Sequence, residues 1–255
     1  MTLDVFSLDG KVALVTGASR GLGAAMAAAI GAAGAAVALH SNEHPATQTA
    51  ERICKESGRR TELFTADLAD RAAADQLIAD TISRFGHIDI LVNNAGIIRR
   101  RTAAQHTDDD WDAVIEVNLS NAFRMCRAMG KHLIDSGRGG KIINVASLLS
   151  YQGGVTVPGY AASKGGIVQL TKALANEWAS QGINVNAIAP GYMQTDNTKA
   201  LREDPQRNKQ ITERIPAGRW GTPEDVAGAA VFLASRASDY VHGHVLVVDG
   251  GWMGR

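Results

Sequence analysis

Val12-Ala13-Leu14-Val15 runs directly into Thr16-Gly17-Ala18-Ser19-Arg20-Gly21-Leu22-Gly23, and the architecture follows from that junction. A short apolar run ending at glycines reads as a strand buried on both faces. Leu22, Met26, Ile30 and Ala33 then recur at helical spacing, and Gly34 ends the helix. Between strand and helix, glycines let the backbone approach a pyrophosphate, and the helix N-terminus offers it free N–H groups. The spacing is TGxxxGxG, with three residues between the first two glycines. Gly17, Ser19, Arg20, Gly21, Leu22 and Gly23 are therefore candidate cofactor-loop residues.

The same alternation continues along the chain. Ala36 to Leu39, Leu63-Phe64, Ile88 to Val92, Lys141 to Val145, Ile183 to Ile188 and Val245 to Val248 read as strands. Helices are expected over Pro45 to Ser57, around Leu77 to Phe85, from about Thr107 to Asp135, over Pro158 to Ser180 and after Pro223. In the long helix, Trp111, Val114, Ile115, Ala122 and Cys126 fall on one side. Ala189-Pro190-Gly191 opens an irregular stretch to about Thr222. Strands alternating with helices imply right-handed crossovers. The expected fold is α/β: a Rossmann-type doubly wound parallel sheet of seven strands with helices on both faces, in one domain over residues 1–255. Ligands of such folds sit beyond the carboxyl ends of the strands.

The chain has 255 residues, with 26 Lys+Arg against 26 Asp+Glu. That balance argues against nucleic acid or an anionic membrane as the main partner. No apolar run approaches the roughly 18 residues of a membrane span. The opening MTLDVFSLDG carries acids and no basic region, so no secretory signal is expected and a cytoplasmic protein is. Cys54 and Cys126 make neither a disulfide framework nor a metal quartet and are expected to be buried or half-buried thiols. His87, His106, His242 and His244 form no metal pattern.

Two further motifs fall at strand ends. Asn93-Asn94-Ala95-Gly96 closes the fourth strand, where small and amide residues can line a nucleotide crevice. Tyr160-Ala161-Ala162-Ser163-Lys164 puts a phenol and an ammonium on one helical face. A nearby cation favours the phenolate, so the tyrosine pKa is expected to fall from about 10 toward neutrality. That suits a proton acceptor for an alcohol. Ser147, just past the fifth strand, can bond the same substrate oxygen.

With these motifs in this order, the chain resembles the short-chain dehydrogenase/reductase family over essentially its whole length. The resemblance implies a nicotinamide cofactor and a catalytic set of Asn118, Ser147, Tyr160 and Lys164, with Asn118 holding a proton-relay water. It implies that Gly17, Gly21 and Gly23 meet the pyrophosphate and that Asp67, beside Leu68, meets the adenine. It also implies that Asn93, Asn94, Ala95 and Gly96 flank the adenine ribose, and that Pro190, Gly191 and Thr195 contact the nicotinamide side. Hydride passes between substrate carbon and nicotinamide, while Tyr160 moves the hydroxyl proton and Lys164 binds the nicotinamide ribose.

Ser41 occupies the place where an NAD-selecting acid usually falls, and Arg20 can pair with a 2′-phosphate. Local chemistry thus leans to NADP. More specialised segments resemble the family's sugar-acid dehydrogenases of uronate breakdown: Asn94 to Arg100, Ser147 to Gly154, Ala189 to Met193 and Arg214 to Gly221. That group usually prefers NAD, so NAD is expected, with NADP the alternative. The implied substrate is of the 2-deoxy-D-gluconate or 2-dehydro-3-deoxy-D-gluconate type. Its carboxylate needs a cation, best met by arginine. Arg99, Arg100 and Arg219 are the candidates, with Arg101 and Lys199 nearby; Gln152 and Tyr192 are candidate hydroxyl contacts. Residues 192–222 are expected to form a lid. The resemblance also implies a homotetramer. Its core motifs are also similar to those of 3-oxoacyl thioester reductases. A nucleotide-sensing regulator would have eroded the tetrad, which is intact.

Overall fold

The computed structural model describes residues 3–255. Seven strands form one all-parallel sheet in the order β3-β2-β1-β4-β5-β6-β7. They are β1 (Val12–Val15), β2 (Ala36–Ser41), β3 (Thr61–Thr65), β4 (Ile90–Asn93), β5 (Gly140–Val145), β6 (Ile183–Pro190) and β7 (Val245–Val248). Strand order reverses between β1 and β4, the switch point beyond whose carboxyl ends ligands of such sheets bind. The central strands are buried on both faces, as their uninterrupted apolar runs require.

One face of the sheet is covered by α1 (Gly21–Ala32), α2 (Thr47–Ser57) and α9 (Ala227–Ala234), whose Met26, Ile30, Ile53, Ala230 and Leu233 are buried against it. The other is covered by α3 (Ala73–Phe85), α5 (Asn121–Ser136) and α6 (Pro158–Trp178), through Leu77, Ile78, Met125, Met129, Leu133, Leu174 and Trp178. Among the described residues no helix is long and apolar enough to cross a membrane.

Three expectations need correction. The long helix from about Thr107 is α4 (Asp108–Ile115), a π-helical turn over Glu116–Ser120, then α5. The turn inserts extra residues and re-aims the side chains around it, which apolar periodicity does not register. The stretch before Thr222 is not irregular: α7 (Lys199–Glu203) and α8 (Pro205–Arg214) lie within it. The Asp204 carboxylate caps α8 by accepting from Gln206 and Arg207 N–H, and Pro205 sits at its first turn. These helices carry almost no apolar residues (Ile211 alone is buried on α8), so a periodicity reading passes over them. Finally, Cys54 is exposed; only Cys126 is buried, and burial pushes its thiol up to about 12.

Candidate active site

Gly17 takes the left-handed conformation at φ 65° that glycine adopts at little cost. At Gly23 a Cβ would stand 2.1 Å from the Gly17 carbonyl oxygen, so no larger residue fits there. The loop is clamped from its neighbours. Asn94 Nδ2 donates to the carbonyls of Thr16 (2.9 Å) and Gly17 (3.2 Å), and Thr16 Oγ1 accepts from the N–H groups of Asn94 and Ala95. Arg20, at the N-cap of α1, makes no side-chain cap, so the first-turn N–H groups are free to meet an anion. Ser41 Oγ, on a residue only 2% exposed, has no hydrogen-bond partner. A glycine cradle, an uncapped helix N-terminus and an orphaned hydroxyl at the end of β2 fit a dinucleotide with a ribose at Ser41.

The other predicted cofactor residues divide by environment. Ser19 and Leu22 are half-buried beside the loop, and Asp67 and Gly96 are exposed at the rim. Leu68, in contrast, points into the core and is 3% exposed, so its side chain does not face the crevice. Asn93 also turns inward, donating to Asn144 Oδ1 (2.9 Å) and Cys126 Sγ (3.2 Å) in the middle of the sheet. Pro190 is buried, and Gly191 donates to the Val248 carbonyl. Thr195 Cγ2 lies 3.6 Å from where a Gly21 Cβ would be, which brings the segment after β6 over the glycine loop. Arg20 also reaches that segment, pairing with Asp196 at 3.2 Å.

Tyr160 and Lys164 lie one turn apart on α6, with Lys164 Nζ 5.7 Å from the Tyr160 ring centre. Ser147 caps the short turn Leu148–Ser150, accepting from Leu149 N–H at 3.2 Å, and Ser150 Oγ donates to the Lys164 carbonyl at 2.7 Å. Burial pushes the Tyr160 phenol above its ordinary value of 10.0, while the Ser147 hydroxyl and the Arg100 charge pull it back. The expected descent toward neutrality is not found. Lys164 Nζ donates instead to the Val145 carbonyl at 2.6 Å, and burial brings its own pKa down to about 8. Two cations thus stand near Tyr160: Lys164, 5.7 Å from its ring, and Arg100, whose charge draws the phenol downward.

Asn118 sits in the π-helical turn. Its amide is engaged on both sides by one backbone residue: Oδ1 accepts from Ile97 N–H (2.8 Å) and Nδ2 donates to the Ile97 carbonyl (2.9 Å). Nδ2 also donates to Ser163 Oγ at 3.2 Å, which joins it to α6. The Asn118 side chain therefore ties the loop after β4 to α6, and the second lone pair of its Oδ1 remains open to a further donor.

The candidate substrate cations separate cleanly. Arg219 makes a two-pronged bond to Asp225 (2.6 and 2.9 Å), so its guanidinium is committed, and that contact holds the Asp225 carboxyl far below the usual range. Arg99 and Arg101 both face Asp110. Arg100 meets no carboxylate among the described residues and donates to the Asn197 carbonyl at 3.1 Å. Lys199 pairs along its helix with Glu203. Tyr192 packs against Trp220 and Trp252, with ring centres 5.4 and 4.6 Å away. Gln152 Oε1 accepts from Trp252 Nε1. No local pattern marks the roles of Trp252 and His40. His40 Nε2 lies 3.0 Å from the Ala66 carbonyl, and Nδ1 accepts from Gly17 N–H at 3.4 Å. Among the described residues no cluster of His, Cys, Asp or Glu could hold a metal ion.

Residues 17–253 match the family described as enoyl-(acyl carrier protein) reductase. The 2-dehydro-3-deoxy-D-gluconate 5-dehydrogenase of Escherichia coli (strain K12) is 52% identical over 255 residues, covering 100% of both chains. That of Pseudoalteromonas atlantica is 54% identical over 254 residues, 99% of this chain and 100% of the relative. Among solved structures, an Agrobacterium tumefaciens protein assigned as a 2-deoxy-D-gluconate 3-dehydrogenase, with bound NADP, superimposes with a TM-score of 0.94. It is 54% identical, covering 99% of this chain and 100% of that one. The chain belongs to the short-chain dehydrogenase/reductase family and is a nicotinamide-dependent oxidoreductase acting on CH–OH groups.

Proposed function

We propose that the protein interconverts a secondary alcohol and a ketone of a sugar acid, of the 2-dehydro-3-deoxy-D-gluconate or 2-deoxy-D-gluconate type. NADP(H) is the favoured cofactor and NAD(H) the alternative. The observation that carries the reading is Arg100, a guanidinium that meets no carboxylate among the described residues and whose charge draws the Tyr160 phenol downward. A sugar-acid carboxylate supplies the missing partner, and arginine receives it in a forked geometry.

The bound nicotinamide carries the hydride; the protein supplies position and proton. Ser147 Oγ and Tyr160 Oη meet the substrate oxygen together. In reduction Tyr160 donates its proton to the carbonyl oxygen; in oxidation it accepts the hydroxyl proton. Lys164, fixed to the Val145 carbonyl, has further N–H donors for the nicotinamide ribose. Asn118 fixes the loop carrying Arg100 to α6, so anion and proton sites keep their spacing. Gln152 and Tyr192 face substrate hydroxyls, and residues 192–222, with their two short helices, close over the site as a lid. Ser41, in place of an acid at the end of β2, favours a 2′-phosphate, and Arg20, which pairs with Asp196 at 3.2 Å, exchanges that exposed partner for the phosphate.

A cytoplasmic homotetramer completes the proposal. The exposed Trp111 on α4 and Phe123 on α5 support contact between copies. Initial rates with both sugar acids and a 3-oxoacyl thioester, each with NADP(H) and NAD(H), test the reading. Turnover confined to the sugar acids is expected; turnover of the thioester alone would replace it.

A further inference from the structure

The peptide unit joining Thr16 to Gly17 is held by both of its edges. On one side Asn94 Nδ2 donates to the Thr16 carbonyl at 2.9 Å; on the other the Gly17 N–H points at His40 Nδ1, 3.4 Å away. The carbonyl and N–H of one trans peptide point in opposite directions, so a partner on each side fixes the plane against rotation. Gly17 has no side chain and sits at φ 65°, so its backbone has little intrinsic preference to hold that orientation alone. The ring of His40 is itself immobilised. The residue is 1% exposed, its Nε2 lies 3.0 Å from the Ala66 carbonyl, and its own carbonyl accepts from Ala18 N–H at 2.8 Å. Because a carbonyl only accepts, Nε2 must carry the hydrogen, which leaves the Nδ1 lone pair to receive the Gly17 N–H. The ring is therefore neutral, in agreement with burial lowering its pKa.

We infer that His40 is a positioning residue for the cofactor. Its neutral Nε2–H tautomer spans from the loop after β3 to the glycine loop and, opposite Asn94, sets the peptide plane from which the pyrophosphate-binding N–H groups follow. This rests on the proposed reading of the glycine loop as the cofactor cradle. It assigns His40 no contact with cofactor or substrate.

The two ring nitrogens can be replaced one at a time. In His40→Asn the side-chain oxygen falls near Nδ1 and can still accept from Gly17, while the Ala66 carbonyl loses its partner. In His40→Gln the amide reaches the Nε2 position and keeps Ala66, while the Gly17 N–H is left unpaired. The measurement is the Kd for NADPH by fluorescence titration, alongside KM for NADPH, kcat at saturating cofactor, and the melting temperature without cofactor. The expected result is a difference in affinity between two variants that each lose one buried hydrogen bond. His40→Gln melts below wild type, since the Gly17 N–H is unpaired with or without cofactor, and binds NADPH roughly 10-fold more weakly with kcat little changed, because the freed peptide plane must be re-ordered on binding. His40→Asn also melts lower and keeps its affinity within about 2-fold, since its acceptor is retained. Equal affinity losses in the two variants, or none in His40→Gln, would overturn the inference. If either variant fails to fold, His40→Ala titrated at 10 °C decides: unchanged NADPH affinity overturns the inference and weakened affinity with normal kcat upholds it. Wild-type protein that binds neither NADPH nor NADH would instead remove the reading of the loop as a cofactor cradle.

Discussion

Trp252 Nε1 donates to Gln152 Oε1 at 3.0 Å, and that single bond decides which end of the Gln152 amide is free. With the oxygen engaged, Nε2 is left as a donor for a substrate hydroxyl. Trp252 also packs against Tyr192 and lies beneath the Arg214 guanidinium, 4.0 Å from the ring centre. Residues close to the C-terminus therefore brace two of the expected substrate contacts.

Trp252→Phe keeps most of the packing and removes the N–H. The amide is then free to flip, and KM for the sugar acid should rise about 3- to 10-fold, the value of one net hydrogen bond. The Kd for NADPH should stay put. A variant whose KM is unchanged would show that Gln152 does not serve the substrate.

Arg100 and Arg219 should behave oppositely. Arg100→Ala removes the candidate arginine that meets no carboxylate among the described residues, and KM for the sugar acid should climb by at least about 10-fold, since charge-assisted bonds exceed neutral ones. Arg219→Ala breaks an exposed pair with Asp225, so substrate KM should be nearly unaffected and the melting temperature should drop only slightly. A KM rise confined to Arg219→Ala would relocate the carboxylate.

The raised phenol of Tyr160 sets a direction for the pH dependence. Reduction needs the protonated phenol, which is present throughout the neutral range. Oxidation needs the phenolate, so its kcat/KM should increase steadily from pH 7 to about 10. A plateau in oxidation already at pH 7 would show that the phenolate forms in the complex despite burial.

Lys164 gives a second pH signal, in stability. Its folded pKa of about 8 lies below the unfolded value of 10.5. Below pH 8 both states hold the proton and the fold carries the full cost of burying the charge. Between those values the unfolded chain binds a proton that the folded one does not, so stability rises with pH. Denaturant melts should show wild type gaining about 2 kcal/mol relative to Lys164→Met between pH 8 and 10. Parallel curves would contradict this.

Ser41→Asp should reverse cofactor choice. A carboxylate at the end of β2 accepts from a ribose 2′-hydroxyl and repels a 2′-phosphate. The ratio of kcat/KM for NADP to that for NAD should fall by roughly 100-fold or more, a scale of several kcal/mol for close like charges. An unchanged ratio would place the 2′ position away from Ser41.

What the sequence made legible is what local pattern and chemistry specify. The central strands are readable because a strand buried on both faces is an uninterrupted apolar run; β1, buried throughout, stands over Val12 to Val15 as read. The glycine loop and the Tyr160–Lys164 pair were readable because their spacing alone brings the groups together. Side-chain partnerships across the sheet were not. Asp110 faces Arg99 and Arg101 from α4 and Asp225 engages Arg219 from beyond the lid, whereas Arg100 meets no carboxylate among the described residues, so four arginines that look alike in a string differ in what they can bind. His40 was invisible for the same reason, since its partners Gly17 and Ala66 lie 23 and 26 residues away. The spacing of Lys164 and Tyr160 gives their proximity without giving the burial that raises the phenol.

The most direct test of the account is Tyr160→Phe, which removes one oxygen and leaves the ring in place. The account predicts an unchanged Kd for NADPH and a fall in kcat of roughly 10²- to 10⁴-fold with the sugar acid, the range for loss of a general acid–base group. Turnover within a few-fold of wild type would contradict the central claim that this phenol moves the proton.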